Sequence, residues 1–451
     1  MGKIIRKLKE IRAFGAEAAR QALERPLYSA GMYAFSGGVS VAGLRNHKAR
    51  LMADGHKRIW KTLEAKLEKD AKYVWIHAAS LGEFEQARPV IERIKERRPD
   101  LKVLLTFFSP SGYEVRKDYP LADIVCYLPF DTPANARRFV EMVRPECAVF
   151  VKYEIWRNFL EALDRQSVPT YLISAVFRPD QAFFRKSGSW YRAWLRWFRH
   201  IFVQNEESRR LLAGVGIDNV TVCGDTRFDR VSDIKAQRKE IPEIARFAEG
   251  GAMTLMVGSS WPADEDVYTD WVNAHRNVRV IIAPHEFDAH RLELLRRRFK
   301  NGAILLSELS DPSAASESSD NSDSPSHSSL LTPHFPQVVI IDCFGLLSSA
   351  YAYADAAYVG GAFGAGLHNI NEAAVYGIPV VFGPKYDKFV EAKELTTLGG
   401  AISIDGKEAF EIVADRLLYN IGDREQRGRW AAEYISEKIG ASDRIFAAVF
   451  G

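Results

Sequence analysis

73-YVWIHAASLGEFEQARPVIERIKERRPDLKVLLTFF-108 holds the repeating unit of the fold. Two apolar runs, YVWIHA and KVLLTFF, flank 84-FEQARPVIERIKERRP-99, whose apolar residues recur at helical spacing. Strand, helix and strand in that order read as a βαβ unit, and hence as a parallel sheet covered by helices. The rhythm continues through DIVCYL (123–128), CAVFV (147–151), TYLISA (170–175) and HIFVQ (200–204). It restarts after about residue 250 with TLMVGSS (254–260), VRVIIAP (278–284), AILL (303–306), VVIID (338–342), AAYVGG (356–361), PVVFG (379–383) and AISI (401–404). The expected fold is α/β, with two tandem doubly wound, Rossmann-like domains facing each other across a cleft. Ligands in such open sheets bind beyond the carboxyl ends of the strands.

A chain of 451 residues suits two such cores, and 47% hydrophobic with 26% charged residues is a globular composition. The boundaries read as 51–215 for the first domain, 216–430 for the second and 431–451 for a C-terminal helix. Within 307–333 the sequence turns to serine, nine of seventeen residues from 313 to 329, which predicts a disordered surface insertion. Four scattered cysteines without CxxC spacing argue against disulfides and zinc, and for a reducing compartment.

Charge is uneven. Residues 1–50 carry ten Lys or Arg against three Glu, a net of +7 in a chain of net +3. Ile4, Ile5, Leu8, Ile11 and Phe14 recur at helical spacing among those basic residues. A basic amphipathic helix of this kind lies on an anionic membrane surface without spanning it; an ordinary solvated helix is the alternative. No run reaches the roughly 18–20 apolar residues that cross a bilayer. From 183 to 200, seven aromatic residues interleave with Arg185, Lys186, Arg192, Arg196 and Arg199. That pattern suits a lipid–water interface, single-stranded nucleic acid, or a helix whose aromatics fill the core.

Several strand ends carry candidate chemistry. Ser80 and Glu83 open the first helix at S-x-x-E spacing. A capping box explains them locally, and would lower the glutamate's pKa; a catalytic Glu83 would instead point into the cleft. 109-SPSGYEVRK-117, with Ser111 and Gly112, either caps a helix or binds an anion or sugar. Glu154 stands just beyond an apolar strand, where a carboxylate is costly unless paired or used. In the second half, Ser259, Ser260 and His285 reach the strand-end edge. 355-DAAYVGGAFGAGLHNINEAAVYGIPVVFG-383 runs a buried strand into Gly361, Gly364 and Gly366 before a short helix near Asn369. Such a loop admits a phosphate, and Glu372 either completes an N-x-x-E cap or accepts ribose hydroxyls.

In order, SLGEFEQ, FFSPSG, KYEIW, the Arg of FRP, QNEES, GDTRFDRV, GSSW and GGAFGAGLHNINEAA resemble the signature stretches of Kdo (3-deoxy-D-manno-octulosonic acid) transferases, over roughly residues 45–440. The resemblance implies a GT-B, metal-independent, inverting glycosyltransferase without cofactor. Its donor would be CMP-Kdo and its acceptor a lipid A precursor, at the cytoplasmic side of the cell inner membrane, with no nucleic acid involved. By the same resemblance Glu83 is the general base, and Glu154 and Arg178 line the acceptor or Kdo side with Ser111, Gly112 and Arg227. Ser259, Ser260, His285, the glycine loop, Asn369 and Glu372 would hold CMP. Arg227 stands where the family often has lysine, and His285 follows Pro284 where many members read Pro-Arg-His. Two other readings remain: a GT-B enzyme using a UDP-sugar, and a non-catalytic membrane-associated sugar-nucleotide-binding protein.

Overall fold

The structure, a computed structural model, describes residues 23–185, 188–249, 252–309, 336–364 and 366–451. The basic helix expected before residue 23 and the Ser-rich stretch from 310 onward lie outside them. The chain divides into two units, residues 1–230 with 440–451, and 231–439.

Unit 1 contains a seven-stranded sheet of β1 (Lys72–His77), β2 (Leu101–Phe107), β3 (Ile124–Tyr127), β4 (Cys147–Val151), β5 (Thr170–Ala175), β6 (His200–Val203) and β7 (Val220–Val222). Their order is β3-β2-β1-β4-β5-β6-β7 and every pairing is parallel. Alternate residues of β1 enter different cores: Tyr73 and Trp75 join one apolar cluster, Val74 and Ile76 the other. A sheet covered on both faces demands this of a strand with period two. The helix Leu81–Arg97 buries Phe84, Ala87, Val90, Ile91 and Ile94, one stripe of its surface. The larger of these, Phe84, Val90, Ile91 and Ile94, each contribute about 1.5–3 kcal/mol by leaving water. The helix stops at Arg98 (φ −133°, ψ 64°), since the following Pro99 disfavours a helical residue before it.

Unit 2 repeats the plan with β8 (Met253–Ser260), β9 (Val278–Pro284), β10 (Ala303–Leu305), β11 (Val338–Ile340), β12 (Ala356–Val359), β13 (Val380–Phe382) and β14 (Ala401–Ser403). The order is β10-β11-β9-β8-β12-β13-β14, again all parallel. The strand order reverses beside β1 in unit 1 and beside β8 in unit 2, where β11 also inserts between β9 and β10. Those reversals are the crevices where open α/β sheets seat ligands.

Three expectations change. Strand β7, VTV with partly exposed residues, is a short edge strand that apolar patterning does not detect. It moves the unit boundary from 215/216 to 230/231. The single C-terminal helix is two, Ile421–Lys438 in unit 2 and Ala441–Phe450 in unit 1, broken at Gly440 (φ +98°). Finally, the aromatics of 183–200 mostly pack on the core of unit 1: Trp194 and Phe198 are buried in it, and Phe183, Phe184, Tyr191 and Trp197 lie against it. The core-filling alternative is the one realised there.

Candidate functional site

The first half-site sits at the carboxyl ends of β1, β2, β4 and β5. Ser80 is the N-cap of the helix Leu81–Arg97 but makes no side-chain cap bond. Glu83 bends back instead, its Oε2 accepting the Ala79 N–H at 2.6 Å, with the Ser80 N–H also contributing. Half of the expected capping box forms, and it is the half that turns the Glu83 carboxylate back onto its own helix start, the orientation expected of a cap and not of a catalytic base. The carboxyl nevertheless sits high, at about 7, because burial and the charge of Glu154 outweigh those two amides and Lys152. The expectation that capping would lower its pKa is therefore reversed.

Glu154 follows β4 on a loop that begins at Lys152 in the left-handed region (φ +62°). Its Oε2 accepts Trp156 Nε1–H at 2.7 Å and lies 3.1 Å from His77 Nε2. His77, the last residue of β1, is fully buried, with Nδ1 2.9 Å from Thr106 Oγ1 and 3.1 Å from Thr106 O. Trp75 Nε1 donates to that hydroxyl at 2.8 Å, and Trp156 Nε1 lies 3.2 Å from His77 Nε2. His77, Lys152 and Trp156 were not singled out from sequence. Their signal was a histidine closing an otherwise apolar strand and an indole two residues after a strand-end carboxylate.

The other expected acceptor residues divide. Phe108 and Ser109 donate their N–H groups to Ala79 O at 3.2 and 2.7 Å, which brings the loop bearing Ser111 beside Glu83. Ser111 Oγ lies 2.9 Å from Ser109 Oγ. Gly112 has a packing role: a Cβ there would stand 2.3 Å from the Phe107 ring. Arg178 is exposed and donates to Tyr153 Oη at 3.3 Å, next to Glu154. Arg227 pairs with Asp225 at 2.7 Å. Burial pushes Asp225 up, but Arg227 and Gln86 more than offset it and its carboxyl lies below the usual range.

The second half-site lies beyond β8, β9 and β12. Gly361 (φ +95°) and Gly366 (φ +119°) adopt left-handed backbone, and a Cβ on Gly361 would stand 2.2 Å from Gly366 O. Gly364 has open space around it. Asp264, 1% exposed, fixes the loop by accepting from Gly361 N (3.0 Å), Tyr358 Oη (2.8 Å) and Trp261 N (2.9 Å). His285 stacks on Trp261 (centroids 4.5 Å) and meets His368 at 4.4 Å. His368 Nε2 accepts Trp261 Nε1–H at 3.0 Å, and burial with the His285 charge lowers its pKa, as a lone-pair acceptor requires. Asp264 and its neighbour Trp261 were missed, since a buried acid in 262-PADED-266 reads as an exposed first turn.

Ser259 stands in left-handed backbone (φ +53°) at the edge, whereas Ser260 is buried with its hydroxyl 2.9 Å from Tyr268 Oη. Non-glycine residues in that region cluster at ligand sites. Asn369 Nδ2 donates to Glu372 Oε1 at 3.1 Å, and Ser348 Oγ donates to Glu372 Oε2 at 2.6 Å. The N-x-x-E cap does not form: the helix Asn371–Ala374 is one turn long with Ile370 as its N-cap. A cavity of about 440 Å³, lined by Ser260, Trp261, Glu286, Phe287, Asp288 and Arg291, opens beside this edge.

The family described as 3-deoxy-D-manno-octulosonic-acid transferase (kdotransferase) matches residues 54–230. A 3-deoxy-D-manno-octulosonic acid transferase of Bordetella pertussis is 28% identical over 399 residues, covering 83% of this chain and 86% of the relative. That of Aquifex aeolicus is 25% identical over 330 residues, covering 73% and 80%. Among solved structures, a UDP-N-acetylglucosamine 2-epimerase from Listeria monocytogenes aligns with TM-score 0.54 at 13% identity, over 84% of this chain and 96% of that one. Acinetobacter baumannii MurG aligns with TM-score 0.53 at 11% identity, over 84% and 99%. These likenesses establish a two-domain α/β fold of the GT-B class.

Proposed function

We propose that this chain, which belongs with the Kdo transferases, is an inverting glycosyltransferase that moves Kdo from CMP-Kdo onto a lipid A precursor, lipid IVA, with Glu83 as general base. The observation that carries this reading is the position of Glu83 at the sheet reversal with its carboxyl raised to about 7. A lipid hydroxyl is a weak nucleophile, and a base matched to neutral pH removes its proton most effectively. In the transfer, the hydroxyl oxygen bonds to the anomeric carbon of Kdo and its proton passes to Glu83. The bond from that carbon to the phosphate oxygen breaks, and CMP leaves with the electron pair.

The loop at Gly361–Gly366 and the His285–Trp261 stack would receive the CMP, with Asn369 and Glu372 toward the ribose. The one-turn helix Asn371–Ala374 has little dipole to offer, so phosphate binding falls to loop N–H groups and side chains such as His285. In this reading no metal takes part. Ser111, Glu154 and Arg178 serve the acceptor or Kdo, and Arg227 acts from its pairing with Asp225.

The enzyme would work peripherally at the cytoplasmic face of the inner membrane. The helix over 23–42 exposes Leu23 (65%), Leu27 (64%) and Val41 (69%), a stripe suited to an interface. Among the described residues no helix is long and apolar enough to cross a membrane.

Incubation with CMP-Kdo and tetraacylated lipid A precursor, with products read by mass, tests the whole reading. The expected product is heavier by one or more Kdo residues. Protection against thermal unfolding by UDP and not CMP would favour a UDP-sugar enzyme, and CMP binding without turnover a binding protein.

A further inference from the structure

The helix over 23–42 presents its polar groups inward. While Leu23 and Leu27 face out, Glu24 is 4% exposed and accepts from Trp194 Nε1 and, at 3.3 Å, from Arg157 Nε. One turn on, Tyr28 donates to Asp131 Oδ2 at 2.7 Å. A buried glutamate persists only beside a matching cation and donors, and Arg157, itself 6% exposed, is that cation.

Those receiving groups are continuous with the acceptor half-site. Arg157 directly follows the loop that carries Lys152, Glu154 and Trp156. Asp131, fully buried, accepts the backbone N–H groups of Asn158 (3.0 Å) and Phe159 (2.9 Å), and its carbonyl accepts Asn158 Nδ2 at 2.5 Å. A second tie runs through rings. Phe35 of the same helix stacks on Phe108 at 6.1 Å, and Phe108 meets Trp156 at 4.7 Å, whose indole donates to Glu154.

We propose that the helix over 23–42 is a positioning element of the acceptor half-site: by holding Arg157 through Glu24 and Asp131 through Tyr28, it fixes the loop that presents Glu154 and Trp156. Glu24 and Tyr28 are positioning residues and touch no substrate. The inference rests on the assignment of Glu83 and Glu154 to the acceptor site, and gives the helix a task separate from membrane attachment.

Glu24→Gln and Tyr28→Phe in the full chain test it, with acceptor supplied in detergent micelles so that vesicle attachment is irrelevant. Tyr28→Phe removes one hydroxyl and keeps the ring, so a thermal transition within a few degrees of wild type verifies folding. Amide hydrogen exchange across 152–159 should quicken about tenfold as the bonds to Asp131 loosen. The turnover number should fall about fivefold or more with KM for CMP-Kdo unchanged, as expected when positioning and not donor binding is lost. The acid limb of the pH profile should move down, since a drifting Glu154 repels Glu83 less, leaving Lys152 and the Ala79 and Ser80 amides to favour its ionised form. Unchanged exchange at 152–159, or an unchanged micellar rate and pH profile with only vesicle activity reduced, would overturn the proposal. Absence of transfer by the wild-type chain would count against the Kdo reading, and the exchange measurement would still decide the tie between helix and loop.

Discussion

Replacing Glu83 by glutamine separates what this carboxylate does for catalysis from what it costs the fold. Its pKa rises from 4.5 to about 7 in the native protein. At roughly 1.4 kcal/mol per unit, the ionised form is disfavoured by about 3.5 kcal/mol at most, and nearer 1–2 kcal/mol once solvent screening of a half-buried group is allowed for. The sign follows from proton binding: between the unfolded and folded pKa values the native state holds more protons. Stability is therefore lost as pH climbs through that window and is lowest above about 7. Glutamine carries no charge and still accepts the Ala79 N–H through its carbonyl oxygen. Glu83→Gln should thus raise the melting temperature by about 2–8 °C near pH 8.5, at about 2–4 °C per kcal/mol, and leave it almost unchanged near pH 4. Transfer should meanwhile fall about 10²–10⁴-fold, the usual contribution of a positioned base. Calorimetry at both pH values with a radiolabelled transfer assay gives both readings. Activity within about tenfold of wild type, or equal stabilisation at the two pH values, would refute the reasoning.

Asp264→Asn leaves three donors facing an amide, and should weaken CMP binding about tenfold or more by calorimetric titration. Gly361→Ala forces a Cβ to 2.2 Å from Gly366 O at φ +95° and should abolish CMP binding, whereas Gly364→Ala meets nothing within 4 Å and should leave the fold's melting temperature unchanged. Any loss of CMP affinity in Gly364→Ala then reports ligand in that space. Transfer should be insensitive to EDTA; inhibition reversed by a divalent cation would contradict the metal-independent reading.

Strand positions were legible because parallel strands buried on both faces are near-continuous apolar runs: YVWIH and CAVFV need no context. β7 was not, because Val220–Val222 is partly exposed and its pairing with β6 is a tertiary fact. Glu83 and Glu154 were legible as carboxylates at strand ends, and the structure places both beside the reversal at β1. What spacing cannot supply is direction. Ser260 and Gly112 occupy the right loops but turn inward to Tyr268 and Phe107. His77 and Asp264 look like a strand residue and a helix-turn acid until burial and partners identify them. The S-x-x-E and N-x-x-E spacings predicted two caps: half of the first forms, with Glu83 on the Ala79 N–H, whereas Glu372 is shared by Asn369 and the distant Ser348.

The return of residues 440–451 to unit 1 sets an order on synthesis. Ile445 and Phe446 complete the core that holds Phe84, Ala87 and Ile91 beneath Glu83, and Asp229 fixes the turn by accepting the Gly440 and Ser442 N–H groups at 2.5 and 2.7 Å. These residues emerge from the ribosome only after all of unit 2. A chain cut short anywhere within unit 2 therefore leaves this core of unit 1 without Ile445 and Phe446.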